Sequence, residues 1–452
     1  MPSSARSQAQ PLQPADEGIR APWVAASPRW DFAFPAGFRM NPRRPSHPQL
    51  QSPIPAGGPV SEQPGPPPVA SLYVHVPFCL HKCEYCAFFS RVPEPELMDR
   101  YVRALIRELN RVAADLAPRT IYFGGGTPTV LNLRHWEQIL QALNPLLAKE
   151  PVEFTVESNP ATLSLEKASL LRAGGVNRMS LGIQSLNDAL LNRLGRVHSR
   201  DMALRAFDWL RQAGFENLNL DLMFAIPGQT MDLWRETLTE ALALGSEHLS
   251  CYEVTYEEDT PLYEQLRTGR VAVDEDMACD MYEVFVERSI QAGFVQYEVS
   301  NFARHDGVAP AEVPSYACRH NVNYWRGGSY YGLGPSAASY VCGVRSQNWA
   351  DIPRYCENLE RGQRPIESSE QLSPLARAGE LAAFGLRMNA GWPLALFKAV
   401  TGFDLEQEWS MEIAALVKKG FGRLDADRFQ LTTKGLRFAD WVAEQFLRPS
   451  PG

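Results

Sequence analysis

The chain lacks any run of about 18 apolar residues, the length that a helix needs to cross a membrane. It has no stripe of Lys and Arg to offset its net charge of −8, so we expect no nucleic-acid partner. Cysteine is sparse, with eight residues in 452. So few in a chain of this length do not form a disulfide framework like that of a small secreted protein. We therefore expect reduced thiols in a cytoplasmic protein.

The first 70 residues lack apolar periodicity and hold 16 of the 35 prolines. Such a segment cannot bury enough surface to offset its ordering entropy, so we expect residues 1–70 to be disordered. Six arginines and four acids without any lysine leave a transit segment open as an alternative. A later start at Met40 is a second alternative.

From residue 71 onward, short β-rich stretches alternate with amphipathic helical stretches such as 96–116 and 275–292. The predicted strands are 71–76, 120–126, 152–157, 178–183, 217–224 and 248–254. This alternation predicts an α/β fold with a parallel sheet, curved into a partial (β/α)6-type barrel. In such barrels the chemistry lies at the C-terminal ends of the strands.

The predicted division of the chain follows this pattern. We expect a barrel core at 71–300, an extension of the barrel at 301–370 and a tail at 447–452. Residues 371–446 show the order helix, hairpin, helix, with the first helix ending near Gly391. That order predicts a small winged-helix-like C-terminal domain, and no basic recognition helix marks it as DNA-binding.

One local absence is informative. Cys79, Cys83 and Cys86 have the spacing Cys-x3-Cys-x2-Cys directly after the first predicted strand, and no fourth cysteine lies nearby. Four cysteines complete a structural zinc or iron–sulfur site, whereas three suit a [4Fe–4S] cluster that keeps one iron open for a ligand. A zinc site completed by His75 or His81 is the alternative reading.

Three cysteines so spaced after a first barrel strand resemble the radical S-adenosylmethionine (SAM) superfamily. The resemblance implies that the open iron chelates the amino and carboxylate groups of SAM. One electron then cleaves SAM and releases a 5′-deoxyadenosyl radical. The stretch "FGGGTPT" (123–129) follows the second predicted strand, and its glycine N–H groups can meet the amino-acid end of SAM.

Polar residues at or beyond the later strand ends extend the resemblance. Together with "YVHVPFC" they resemble the oxygen-independent coproporphyrinogen III oxidase family over nearly all of residues 71–445. The resemblance implies a SAM site made of Tyr73, Tyr85, Gly125, Gly126, Thr127, Glu157, Gln184, Arg196 and Asp221.

Phe88 separates two branches of this family. The oxidase branch carries a fourth cysteine, which would fall at position 88. A chain with an aromatic residue there resembles the heme chaperone (HemW-type) branch. The resemblance implies a protein that binds heme and delivers it to apo-hemoproteins, with a [4Fe–4S] cluster and SAM as further cofactors and without oxidase activity.

A second stretch agrees with that branch. His320, Asn321, Tyr324 and Trp325 form the pattern HNxxYW, which resembles the heme-binding motif of the chaperones. An imidazole can ligate heme iron, and aromatic rings offer flat apolar surface to the macrocycle. Without the resemblance, a hydrogen-bonded core histidine is the simpler reading. Relatives often carry "GPGAH" where this chain has "GPSAAS" (334–339).

Two alternative functions stay open at this point. The chain keeps the whole SAM site of an oxygen-independent coproporphyrinogen III oxidase, and a radical SAM enzyme acting on RNA is a third reading that the acidic charge disfavours. The family also implies an electron donor, and a homodimer or peripheral membrane association is compatible with it. We expect the remaining cysteines to be buried small hydrophobes: Cys251, Cys279, Cys318, Cys342 and Cys356.

Overall fold

The computed structural model describes residues 68–147, 152–307 and 312–449. Most of the Pro-rich segment, residues 1–67, therefore lies outside the described residues, and so does the expectation of disorder there. The first strand begins at Val69, so the barrel starts two residues before the predicted boundary at 71.

The described residues contain a sheet of nine strands in the order β7-β8-β6-β5-β4-β3-β2-β1-β9. Strands β1 to β6 are parallel, β9 adds in parallel to the free edge of β1, and β8 and β7 run antiparallel at the other edge. This arrangement confirms the predicted α/β fold with a partial barrel. The strands are β1 Val69–Val76, β2 Leu116–Gly125, β3 Glu153–Ser158, β4 Arg178–Gln184, β5 Leu218–Phe224, β6 His248–Glu253, β7 Phe294–Gln296, β8 Asn301–Arg304 and β9 Tyr331–Leu333.

Helices follow the strands, as the sequence predicted. Several begin at a Ser, Thr, Asn or Asp whose side chain accepts the backbone N–H three residues later, which satisfies one of the open donors of the first turn. The helices of this part are α1 Pro95–Val112, α2 Leu133–Leu147, α3 Leu165–Ala173, α4 Asp188–Arg193, α5 Arg200–Gln212, α6 Met231–Ala243, α7 Pro261–Arg267, α8 Glu275–Gln291 and α9 Arg319–Trp325.

The rest of the described chain forms a hairpin layer and a C-terminal helical unit. A separate hydrophobic cluster is built within residues 378–446, and the boundary near residue 371 stays a prediction. The strands are β10 Ala338–Val341, β11 Val344–Asn348, β12 Ile366–Glu370, β13 Trp392–Pro393, β14 Gly422–Leu424 and β15 Arg428–Leu431. The helices are α10 Ile352–Glu360, α11 Pro374–Gly385, α12 Leu394–Thr401, α13 Leu405–Glu408, α14 Ser410–Lys418, α15 Thr433–Leu436 and α16 Ala439–Phe446.

The predicted end of α11 near Gly391 is wrong. The helix stops at Gly385, where an added Cβ would lie 2.1 Å from Nε1 of Trp392. That indole N–H donates to the carbonyl of Leu381 over 2.9 Å. Trp392 therefore packs onto the C-terminal end of α11, and its indole N–H satisfies one of the carbonyl groups there.

Two of the five scattered cysteines also differ from the prediction. Cys251, Cys318 and Cys356 are buried, whereas Cys279 is half-buried and Cys342 is exposed. Cys342, with φ 51°, lies in the two-residue turn between β10 and β11, so its position at the tip of a hairpin explains its exposure. Among the residues that the structure describes, no helix combines the length and the apolar character needed to cross a membrane.

A buried carboxyl group joins the barrel to the 331–360 region. Glu108 of α1 accepts hydrogen bonds from the N–H of Gly334 over 2.9 Å, from Asn348 Nδ2 over 2.8 Å and from the Tyr355 hydroxyl over 2.6 Å. Removing one partner of such a network leaves the others buried without an acceptor, which costs far more than the network contributes.

We therefore expect Glu108→Ala to lower the free energy of unfolding by about 3–5 kcal/mol, as for a broken buried network. Urea denaturation followed by circular dichroism measures this loss. Glu96→Ala is the matched control, because Glu96 is an exposed glutamate in the first turn of the same helix. A loss as small as that of the control would show that Glu108 does not hold the two parts together.

Glu108 also has a testable pH dependence. Burial raises the pKa of this carboxyl to about 7, although the Tyr355, Gly334 and Asn348 donors oppose the shift. The folded protein thus holds the proton more tightly than the unfolded chain, so this contribution to stability is complete below about pH 4.5 and is lost as the pH rises through 7. Relative to Glu108→Gln, which has no group to titrate at this position, wild type should therefore lose stability as the pH rises from about 4.5 to 7, and urea denaturation at a series of pH values measures this.

Candidate functional site

The cysteine loop follows β1 and is fixed at both ends by backbone hydrogen bonds. The N–H of Cys79 donates to Arg91 O over 3.0 Å, and the N–H of Glu84 donates to Leu194 O over 3.0 Å. Cys79, Cys83 and Cys86 are half-buried free thiols. All three line one cavity of about 840 Å³ at the C-terminal ends of the barrel strands.

Burial controls the chemistry of these thiols. It raises the pKa of Cys79 and raises that of Cys86 to about 12, so both thiols hold their protons in the metal-free protein. Cys79 Sγ lies 3.4 Å from Thr127 Oγ1, and Arg196 Nη1 donates to Cys83 Sγ over 3.6 Å. Within residues 68–147, 152–307 and 312–449, no three His, Cys, Asp or Glu side chains already converge as a metal site. The loop therefore places the thiols on one cavity wall, and their ligation of a metal stays a prediction.

The glycine turn at the end of β2 packs against the chain that leads into the cysteine loop. The N–H of Gly126 donates to Val76 O over 2.9 Å, and the N–H of Thr127 donates to Phe78 O over 2.7 Å. A Cβ at Gly126 would lie 2.6 Å from Phe78 O. The N–H of Gly126 is therefore already used at the end of β1, and contact of the other glycine N–H groups with SAM stays a prediction. The glycine is needed because the turn packs directly onto the cysteine loop.

The predicted SAM residues at the strand ends do come together. The Tyr122 hydroxyl donates to Glu157 Oε1 over 2.7 Å, and Asp221 accepts from Asn219 Nδ2 over 2.8 Å. Burial raises the pKa of Glu157 to about 8 and raises that of Asp221 as well. Gln184 ends β4 with φ 60°, which turns the chain out of the strand at the cavity.

Nearly the whole predicted SAM set lines the same cavity as the cysteines. The exception is Tyr73, which lies beneath the cavity wall with its hydroxyl 3.2 Å from His75 Nδ1 and its ring stacked on Tyr122. The residues that line the cavity are Tyr85, Gly125, Gly126, Thr127, Glu157, Gln184, Arg196 and Asp221.

The HNxxYW stretch forms α9, whose start is held by a carboxylate of the barrel. Glu153 accepts the N–H of Arg319 over 2.9 Å and that of His320 over 3.0 Å. Asn321, Tyr324 and Trp325 line the cavity. These three residues of the motif therefore line the same cavity as the cysteines and the predicted SAM residues.

His320 lies one layer deeper than the rest of its motif. Its side chain is buried, with the rings of Tyr122 and Tyr324 at 5.0 Å between centroids. Its Nδ1 is 2.9 Å from Thr120 Oγ1, and that hydroxyl donates to Ser71 Oγ over 2.9 Å. This pattern assigns the proton to Nδ1, which leaves Nε2 with a lone pair.

The free nitrogen of His320 has no hydrogen-bond partner in the described part of the chain, although it is fully buried. Burial also lowers the pKa of His320 to about 3, so the imidazole is neutral at pH 7. A neutral imidazole with an unshared Nε2 is the form that ligates iron.

Sequence reasoning missed polar residues of the barrel interior. Arg178, Ser180 and Asn219 line the cavity together with Asp221. The sequence did contain a signal for them, because alternate residues of a strand share one face. Residues 178 and 180 therefore share a face of β4 with the predicted site residue Gln184, and residue 219 shares a face of β5 with Asp221. Residues from the C-terminal unit were missed as well, and no local pattern marks Phe384 or Arg387 as part of this cavity.

Comparison with known proteins identifies the family. The family model described as "Radical SAM superfamily" matches residues 73–241, and the one described as "HemN C-terminal domain" matches residues 372–438. The chain is 34% identical over 379 residues to the heme chaperone HemW of Lactococcus lactis, covering 83% of this chain and 97% of the relative. It is 33% identical to the heme chaperone HemW of Bacillus subtilis, with 83% and 99% covered.

Two further matches extend this result. The mitochondrial radical S-adenosyl methionine domain-containing protein 1 of Danio rerio is 36% identical, with 71% of this chain and 73% of the relative covered. Among solved structures, the coproporphyrinogen III oxidase HemN of Escherichia coli matches with a TM-score of 0.72 at 21% identity, over 84% of this chain and 90% of that one. At that identity the oxidase shows a shared fold. The full-length relatives decide the family, and the chain belongs to the HemW family of the radical SAM superfamily.

Proposed function

We propose that this protein binds heme and delivers it to apo-hemoproteins, in a site that also holds a [4Fe–4S] cluster and SAM. The observation that carries the proposal is one shared cavity. It is lined by the cysteine loop, by the predicted SAM residues and by Asn321, Tyr324 and Trp325. Relatives that match over nearly their whole length are heme chaperones.

A radical SAM domain implies the cluster and SAM, and the residues present fit both groups. Cys79, Cys83 and Cys86 supply three sulfur ligands from one loop, which suits a cluster with one open iron. Glu157, Gln184, Arg196 and Asp221 would hold SAM, with Arg196 between Cys83 and the carbonyl of Gly182. When bound, the cluster supplies the electron for reduction of SAM.

The same cavity fits heme through its aromatic and imidazole groups. Tyr324 and Trp325 offer ring surface to the macrocycle, and Nε2 of His320 is a buried lone pair without a partner among the described residues. Because the rings of Tyr122 and Tyr324 cover His320, ligation of the iron requires one of them to move. We propose apo-hemoproteins as the acceptors of the heme, and a separate electron donor that reduces the cluster.

We also propose that the protein works in a reducing, cytoplasmic environment. All eight cysteines are free thiols, and three of them are buried away from any partner thiol. A reducing compartment keeps such thiols available for cluster assembly.

The distinguishing experiment compares the two activities of the wider family. We expect the reconstituted protein to bind heme at a single saturable site under anaerobic conditions and to leave coproporphyrinogen III unchanged in the presence of SAM and a reductant. Soret absorbance measures the first and porphyrin chromatography the second. The observation that favours this outcome is Phe88, which lines the cavity with 42% of its surface exposed where the oxidase pattern has a thiol. Conversion of coproporphyrinogen without heme binding would overturn the proposal.

A further inference from the structure

Arg178 is a buried cation that the site described above does not use. It is the first residue of β4, its side chain is 2% exposed, and it lines the cavity. In the part of the chain that the structure describes, its guanidinium makes no hydrogen bond and no ion pair, and its Nε is fully buried without a partner. Because a guanidinium stays protonated at any pH a protein survives, the barrel holds a buried positive charge that its carboxyl neighbours meet only through space, without a bond.

The carboxyl groups around Arg178 are engaged by other donors. Glu153 accepts the backbone N–H groups at the start of α9. Glu157 accepts the Tyr122 hydroxyl, and Asp221 accepts Asn219 Nδ2. A buried charge without a bonded counterion is costly, so a fold retains one where a ligand completes it.

The position of Arg178 along β4 places it far from Gln184, at the other end of the row of predicted SAM residues. Arg178 lies beside Thr155, which lies beside Tyr122, so these residues share one level of the barrel. Gln184 ends the same strand six residues later, which corresponds to about 20 Å. The ring of Tyr122 stacks on His320 at that lower level. The unpaired guanidinium is therefore on the histidine side of the cavity rather than at the cluster end.

From this placement we infer that Arg178 binds a carboxylate of the ligand in the lower part of the cavity, namely a propionate of heme. The inference rests on the proposed heme-binding function and adds a charged anchor to it. A planar guanidinium pairs with a carboxylate through two parallel N–H···O bonds, which fixes the orientation of the macrocycle as well as its affinity. SAM carries the same chemical group, and the test below distinguishes the two sources.

The test is a set of titrations with wild type and Arg178→Met, using heme and its dimethyl ester, SAM and decarboxylated SAM. We expect the variant to bind heme about 10- to 100-fold more weakly, the size of a lost charge-assisted pair, and to bind the dimethyl ester as wild type does. Arg178→Lys should recover part of the affinity for heme. Arg437→Met is the matched control, because Arg437 lines the same cavity but is paired with Glu283.

Stability separates this role from a structural one. Without ligand, Arg178→Met should melt at the same temperature as wild type or higher, since it removes a buried charge that has no bonded partner. If Arg178 had only a structural role, Arg178→Met would melt at a lower temperature and would bind all four ligands more weakly by the same factor. That result would overturn the inference. Equal affinities in both proteins would overturn it too.

The remaining outcomes are equally decisive. Weaker SAM binding with unchanged binding of decarboxylated SAM would keep Arg178 as a carboxylate receptor but overturn the propionate as its ligand. If wild type bound neither heme nor its ester, the proposed function itself would fail. A loss confined to free heme in Arg178→Met would support both.

Discussion

Replacing Cys83 by alanine should abolish the iron–sulfur cluster, and Cys79→Ala and Cys86→Ala should do the same. The three thiols lie on one loop that backbone hydrogen bonds fix to Arg91 and Leu194. A cluster that already has one open iron cannot lose another protein ligand and stay anchored. Iron content after anaerobic reconstitution should fall from about four per chain to below about one, and the visible absorbance of the cluster should vanish.

The control for this loss is Cys279→Ala. Cys279 is also a half-buried free thiol and lines the same cavity, but it comes from α8 rather than from the cysteine loop. Its variant should reconstitute with full iron content. Complete iron in all three loop variants would refute the ligand assignment, and a zinc-filled wild type would revive the alternative with His75 or His81.

Replacing His320 by alanine has the second-largest expected effect. Loss of the imidazole should weaken heme binding by at least about 100-fold, because substitutions that merely support a metal ligand already cost 10- to 100-fold in affinity. The reason lies in the hydrogen bonds of the ring. Thr120 Oγ1 accepts a hydrogen bond from Nδ1–H, and Nε2 remains buried without a partner among the described residues. A Soret titration measures the affinity.

Two comparisons make this prediction specific to ligation. His135→Ala is the matched control, because His135 is also a buried histidine with an unpartnered ring nitrogen in the described residues, but it pairs with Asp99 and does not line the cavity. Added imidazole should restore the Soret spectrum of the His320→Ala complex. An unchanged affinity, or a loss that imidazole does not repair while the control shows the same loss, would remove His320 from the heme site.

The barrel and its cavity-lining loops were largely predictable from the sequence. The six parallel strands were predicted because each is a short apolar run with a local pattern, and the observed starts of β4 and β6 at Arg178 and His248 agree with it. The cysteine loop was predictable because its spacing and its place after a strand are both local. The addition of β9 to the free edge of β1 was not, since a pairing of three residues depends on contacts far apart in the chain.

The interior of the site was less predictable, and the reasons are specific. The N–H of Gly126 was expected to be available to SAM, but it donates to the carbonyl of Val76 at the end of β1. His320 was assigned from its motif, and nothing in the motif shows that Tyr122 and Tyr324 cover it. Arg178 was missed because its unpaired charge is visible only once every neighbouring carboxyl group has been traced to its donors.

We propose that the protein passes heme to other proteins, and a measurement of heme transfer tests this directly. The reconstituted, SAM-loaded protein is charged with one equivalent of heme and mixed anaerobically with an apo-hemoprotein, and the Soret band of the acceptor is followed. We expect the acceptor spectrum to appear at a rate that depends on acceptor concentration, with the His320→Ala variant releasing its heme at once and without that dependence. If the heme stays on the protein, or if it moves at the rate of spontaneous release at every acceptor concentration, the protein does not deliver heme to acceptors.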